Sequence, residues 1–217
     1  MDELIVRVLR TVACFTRLRI LSRLSAKDTA PTTLARDLGL SVDLVCSHLA
    51  RLSSVGLVRR RRSGLHCYCS AGSPYSDSAL SGQIAGWVHE ALRGAAPGAP
   101  APGRSARRRA KTADTSPDAS DLLFDAATAF TNVRRLQIMR RLAKGEPADA
   151  PTLARELRMS AAAVGRHLSK LIRRGFVRSS SHKGRMLYQL VPNPRTPLHA
   201  RLLAIVSAYW STQRLRT

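Results

Sequence analysis

Ser160-Ala161-Ala162-Ala163-Val164-Gly165-Arg166-His167-Leu168-Ser169-Lys170-Leu171 is the stretch that decides how the rest of this chain is read. Val164, Leu168 and Leu171 recur at helical spacing and define a core-facing stripe. Ser160 stands where an N-cap belongs, and Gly175 closes the segment as a C-terminal cap. Just upstream, a shorter helical segment opens near Pro151 and ends at Leu157, leaving only Arg158-Met159-Ser160 as the turn. Downstream, residues 176–180 and 186–191 read as two short strands around a glycine turn.

The same text occurs earlier in the chain. Thr152-Leu153-Ala154-Arg155-Glu156-Leu157 answers Thr33-Leu34-Ala35-Arg36-Asp37-Leu38. Ser160, Val164, His167, Leu168 and Leu171 answer Ser41, Val45, His48, Leu49 and Leu52. Arg135-Leu136-Gln137-Ile138-Met139 answers Arg17-Leu18-Arg19-Ile20-Leu21, while Gly175, Val177, Gly184 and Tyr188 answer Gly56, Val58, Gly64 and Tyr68. Such a series is a duplication, not chance. Each copy opens with an apolar helical stripe (Leu4, Ile5, Val8, Leu9, Val12; Leu122, Leu123, Ala126, Ala127, Phe130). Each also closes with an apolar helix around Trp87 or Tyr209 and Trp210. The expected domains are therefore 1–93 and 121–217. Residues 94–120, rich in Pro, Gly, Ala and Arg, form the linker between them.

The net charge of +22 comes from 36 Lys and Arg against 14 Asp and Glu, and it points to a polyanionic partner. It is uneven: residues 1–93 carry 13 basic and 7 acidic side chains, residues 121–217 carry 18 and 5. The acidic start, broken by Arg7 and Arg10, does not read as a signal peptide, and no apolar run is long enough to span a bilayer. The expectation is a cytoplasmic, nucleoid-located protein without a membrane partner.

A short helix, a tight turn, a capped helix and then a β-hairpin make a winged helix-turn-helix. The fold expected is mainly α with small β-wings: two tandem winged helix-turn-helix domains packed as an intramolecular pseudo-dimer. Both copies resemble the ArsR-type winged-helix regulators, through Leu-Ala-Arg-(Asp/Glu)-Leu, Ser-x-x-x-Val-x-x-His-Leu-x-x-Leu and Gly-(Leu/Phe)-Val-Arg before the hairpin. The resemblance covers everything but the linker and the ends. It implies a DNA-binding transcriptional regulator, a repressor, whose first and last helices pair as they do between two subunits in the family. A flexible linker of 27 residues spans roughly 30 Å, enough for two domains to address half-sites about 34 Å apart. A higher oligomer stays open, as do an effector and an alternative role in nonspecific nucleoid coating or complex assembly.

With the apolar stripe turned inward, the groove-facing set in the second copy is Ala161, Ala162, Gly165, Arg166 and Ser169, and Arg166 is its one guanine reader. Lys170, Arg173, Arg174 and Arg178, with His182, Lys183 and Arg185 on the wing, read as phosphate ligands. The first copy offers Val42, Asp43, Cys46, Ser47 and Arg51, followed by Arg59, Arg60, Arg61 and Arg62 on its wing. That arginine run reads either as a charge-guarded strand edge or as a backbone contact, and its place on a wing favours the contact. Asp43 repels phosphate but can accept from a cytosine amino group.

Cys46, His66, Cys67 and Cys69, with Cys14 on the first helix, are the candidates for a metal or redox site, and ordinary thiols are the favoured reading. In the family the cysteine-containing metal motif lies on the helix that here reads Thr33-Leu34-Ala35-Arg36-Asp37-Leu38, without cysteine. His48 and His167 read, by resemblance, as structural or phosphate-contacting residues. For His199, no carboxylate lies within reach along its own helix to complete an interface zinc site of the kind some relatives carry. No phosphate loop, paired-cysteine spacing or recognisable nucleophile context points to an enzyme, and no cofactor is expected.

Overall fold

The computed structural model describes residues 2–63, 66–93 and 118–214; the greater part of the expected linker, 94–117, and wing positions 64 and 65 lie outside them. Its helices are α1 (Asp2–Val12), α2 (Phe15–Ala26), α3 (Pro31–Leu38), α4 (Val42–Ser54), α5 (Leu80–Arg93), α6 (Ala119–Ala129), α7 (Val133–Leu142), α8 (Ala150–Glu156), α9 (Ala161–Arg173) and α10 (Pro197–Arg214). The strands are β1 (Val58–Ser63), β2 (His66–Ala71), β3 (Ala148–Asp149), β4 (Val177–His182) and β5 (Arg185–Leu190). The architecture is mainly helical with small antiparallel sheets.

The chain divides into two compact units, one holding Met1–Ala13 together with Asp125–Thr217 and the other Cys14–Phe124. The sequence repeat and the compact unit are thus cut differently. Helix α1, first element of the N-terminal copy, packs on α7 of the C-terminal unit. Ile5, Val8, Leu9 and Val12 are fully buried there, and Arg10 Nη2 donates to the Thr131 carbonyl at 3.0 Å. Asp2, itself buried, accepts from Trp210 Nε1 at 3.3 Å and faces Arg140 Nη1 at 3.5 Å.

Within the N-terminal unit, α2 packs against α4, α5 and β2, and α3 packs against α4. Its core is Leu18, Ile20, Leu34, Val45, Leu49, Leu52, Ile84 and Trp87. Phe15 stacks on Phe124 with ring centroids 4.2 Å apart. The C-terminal unit repeats the plan with Leu136, Ile138, Leu153, Val164, Leu168, Leu171 and Phe176, the last edge-on to Phe130 at 5.0 Å.

Turn chemistry repeats as well. Leu40 N bonds Ala35 O and Met159 N bonds Ala154 O, both at 2.9 Å, so α3 and α8 end in the same Schellman geometry. The left-handed residue this requires is Gly39 (φ 63°) in one copy and Arg158 (φ 49°) in the other.

The wings differ from expectation in one detail. β1 pairs Val58 with Ala71 through Ser63 with His66, and β4 pairs Val177 with Leu190 through His182 with Arg185. The hairpins are therefore equal in length, and Tyr188 occupies the register position of Cys69 rather than of Tyr68. The bonds on the outer edge agree: Cys69 bridges to Thr29, as Tyr188 pairs with Ala148. In the second wing Lys183 (φ 48°) takes the first turn position and Gly184 (φ 75°) the second. Both central residues of that two-residue turn are left-handed, as a type I′ turn demands.

Candidate nucleic-acid interface

Helices α4 and α9 are each held by a cap and an apolar stripe. Ser41 Oγ accepts from Leu44 N and Ser160 Oγ from Ala163 N, each at 3.3 Å. Val45, Leu49 and Leu52, or Val164, Leu168 and Leu171, are buried. At 100° per residue the face opposite that stripe carries Asp43, Ser47, Ala50 and Ser54 on α4, and Ala162, Arg166, Ser169 and Arg173 on α9. All eight are exposed. Arg51 and Lys170 stand on one flank of these faces. Val42 and Ala161 lie toward the core side, exposed because they begin their helices. Gly165 is half-buried.

The two faces differ in charge. On α9, Arg166, Lys170 and Arg173 present three cations without an anion, whereas α4 offers Asp43 against Arg51. The wing beside α9 adds exposed Arg178, His182, Lys183 and Arg185. Across the strands the Gln189 amide faces Arg178, and with that amide turned so that its oxygen points to the guanidinium it accepts from Arg178 Nε at 2.5 Å and Nη2 at 2.7 Å. On the first wing Arg60, Arg61 and Arg62 are exposed, while Arg59 Nε turns back to the Ser73 carbonyl at 2.6 Å. Arg174 faces inward: it pairs with Asp125 of α6, so its charge is engaged within its own unit.

The repeated histidines are half-buried on α4 and α9. His167 is held below its ordinary pKa by burial and then by Arg135, Arg166 and neighbouring cations, and His48 by burial, Arg17 and Arg51. Both are neutral near pH 7, which suits packing better than phosphate binding. Arg135 is itself a repeat feature whose role the sequence does not announce. Buried, it donates from Nε to the Ala129 carbonyl at 2.9 Å, and from Nη2 to the Thr128 carbonyl at 2.9 Å and Thr131 Oγ1 at 2.8 Å. It clamps the end of α6 to α7. Its counterpart Arg17 is likewise buried. The one signal was an arginine immediately before a core leucine in both copies.

The thiols are all unbridged: Cys46 is exposed, Cys14 and Cys67 are half-buried and Cys69 is buried. Burial, reinforced by Cys67, pushes the Cys69 thiol up to about 11, so it is protonated and a poor metal ligand. Among the described residues no group of three or more His, Cys, Asp and Glu side chains is arranged to hold a metal, and no helix is long and apolar enough to cross a membrane. His199 does have a carboxylate nearby, brought by another helix: Asp125 Oδ2 stands 3.5 Å from its Nε2.

The family described as "Bacterial regulatory protein, arsR family" matches residues 132–179, from the N-cap of α7 into β4. No curated protein sequence matches the chain. Among solved structures, the homodimeric winged helix-turn-helix DNA-binding domain (fragment 1-100) of Mb0332 from Mycobacterium bovis, a possible ArsR-family transcriptional regulator, is 22% identical. It covers 55% of this chain and 96% of its own, with a TM-score of 0.36. The AntR antimony-specific transcriptional repressor is 21% identical over 54% of this chain and 99% of its own, again with a TM-score of 0.36.

Proposed function

We propose that this protein is a DNA-binding transcriptional regulator of ArsR type, acting as a repressor, whose second copy supplies most of its affinity for duplex DNA. The observation that carries this is the exposed outward face of α9. Arg166 and Arg173 stand clear of the core there, with half-buried Lys170 on their flank, beside a cationic wing and inside the segment that matches the arsR family. Arg166 reads guanine, Lys170 and Arg173 hold phosphates, and Arg178, His182, Lys183 and Arg185 follow the backbone. The first copy contributes Arg51 and the arginines of its wing, with Asp43 and Ser47 facing the bases and Val42 at the edge of that face. Sharing one chain between two helix-turn-helix units makes the molecule a fused pseudo-dimer. The sequence duplication supports that reading, as does the membership of α1 in the unit of the other copy.

The test is the double change Arg166→Ala with Lys170→Ala, followed by fluorescence anisotropy against selected genomic fragments at several salt concentrations. Losing a base contact and a phosphate contact weakens specific binding by about 1–3 kcal/mol and lowers the salt slope by about 0.9. An unchanged titration removes α9 from the interface.

A further inference from the structure

A cavity of about 500 Å³ opens between the start of α8 and strand β5 of the second wing, lined by Asp149, Thr152 and Arg155 on one side and Arg185, Met186 and Tyr188 on the other. Its two arginines come from different elements, Arg155 from α8 and Arg185 from the start of β5. Neither has an ion pair among the described residues. Arg155 is next to Glu156, but that carboxylate is taken by Arg141, whose Nε donates to it at 2.6 Å. Among the described residues of the first copy the arrangement is not repeated. By register His66, Cys67 and Cys69 stand where Arg185, Met186 and Tyr188 do, and Arg36, the counterpart of Arg155, lies 3.7 Å from its neighbour Asp37.

One carboxylate shares the cavity. Asp149 Oδ1 accepts from Thr152 N at 2.8 Å, so it is committed to capping α8. Thr152 hydrogen bonds hold its carboxyl below the usual range, and Arg185 and Arg155 add to that, which places both guanidiniums within electrostatic reach of the same spot. Two planar forks with a single, already engaged carboxylate between them leave a net positive recess with open donors, the geometry in which arginine binds phosphate.

We infer that this recess seats one phosphate group, gripped jointly by Arg155 and Arg185. The group is either a DNA backbone phosphate, in which case the inference rests on the DNA-binding reading above, or the phosphate of a small molecule. A backbone phosphate held there ties the first helix of the helix-turn-helix and the wing to the same strand. It adds Arg155 to the interface as a residue that positions the protein without reading sequence.

The experiment compares the full chain with Arg155→Ala, Arg185→Ala and the double variant in two arms. The first titrates duplex DNA across salt, with ethylation interference to map phosphates. If one backbone phosphate is shared, either single change weakens binding about tenfold and lowers the salt slope by about 0.9. The double change then adds little, because both side chains serve one contact. The second arm follows melting temperature against inorganic phosphate without DNA. Stabilisation of the wild type but not of the double variant, with DNA binding untouched, assigns the recess to a free phosphate compound. No effect in either arm, or fully additive losses in the first, overturns the inference. If the wild type ignores duplex DNA, the regulator reading fails and the phosphate arm alone decides the recess. Both side chains are exposed, so folding should survive; glutamine in place of alanine repeats the test if it does not.

Discussion

Replacing Arg135 with methionine keeps the aliphatic stem and removes the guanidinium that clamps α6 to α7. Three hydrogen bonds disappear, to the Ala129 and Thr128 carbonyls and to Thr131 Oγ1. At about 1.5–3 kcal/mol for each bond from a charged donor, the gross loss is about 4.5–9 kcal/mol. Against it stands the desolvation penalty of a buried cation, several kcal/mol, which the variant no longer carries. The Thr128 carbonyl keeps Thr131 Oγ1 as a donor at 3.1 Å, so the Ala129 carbonyl is the acceptor left most deprived, at about 1–3 kcal/mol. The expected net destabilisation is about 3 kcal/mol, read as a shift of the urea midpoint at constant slope. A second readout is electrostatic. Arg135 is, after burial, the foremost cause of the low His167 pKa, so the imidazole should titrate at higher pH in the variant. A loss below about 1 kcal/mol, within the range of ordinary surface substitutions, together with an unmoved His167 titration by NMR, would refute the clamp.

Acid should weaken the C-terminal unit through His199. Fully buried, with Asp125, Arg174 and Arg195 around it and Thr196 Oγ1 2.7 Å from Nδ1, it is held down to about 4 from 6.5, by burial first and then by the two arginines. The unfolded chain takes up this proton below about 6.5 and the folded one does not, so stability falls as pH drops from about 6.5 to about 4, by about 2–3 kcal/mol. His199→Gln should flatten that limb in urea titrations between pH 7 and 4.5, and an identical pH slope contradicts the assignment. The turns offer a matched set. Gly56→Ala, at φ 73° with a Cβ that runs into the Tyr75 ring, should cost more than the about 1–2 kcal/mol of left-handed strain alone. Gly39→Ala, at φ 63° in open space, should cost only that strain. Arg158→Gly, relieving it at the matching turn, should stabilise by up to about 1 kcal/mol. Equal melting temperatures for the two alanine variants would remove Tyr75 from the explanation.

Much of the candidate interface was legible because its geometry depends on local rules. The stripe of Val164, Leu168 and Leu171 says which side of α9 turns inward, and therefore that Arg166 and Arg173 turn outward. Ser160 and Gly175 mark where the helix begins and stops. These are consequences of 3.6 residues per turn and of backbone groups that need partners, and they hold before the chain has any tertiary structure. What lay beyond the sequence was the choice of partner. The stripe on α1 announces burial, but hydrophobic burial is non-directional, so nothing in Ile5, Val8, Leu9 and Val12 says that α7 is what covers them. Charges are decided the same way, by distance through space. Arg174 reads as a phosphate ligand in the sequence and is the partner of Asp125 in the fold; Arg155 stands beside Glu156 in the chain, yet Arg141 holds that carboxylate. Even the wing register needed the hydrogen-bonded ladder, because a shift of one residue exchanges Tyr68 for Cys69 and turns the side chain to the opposite face of the sheet.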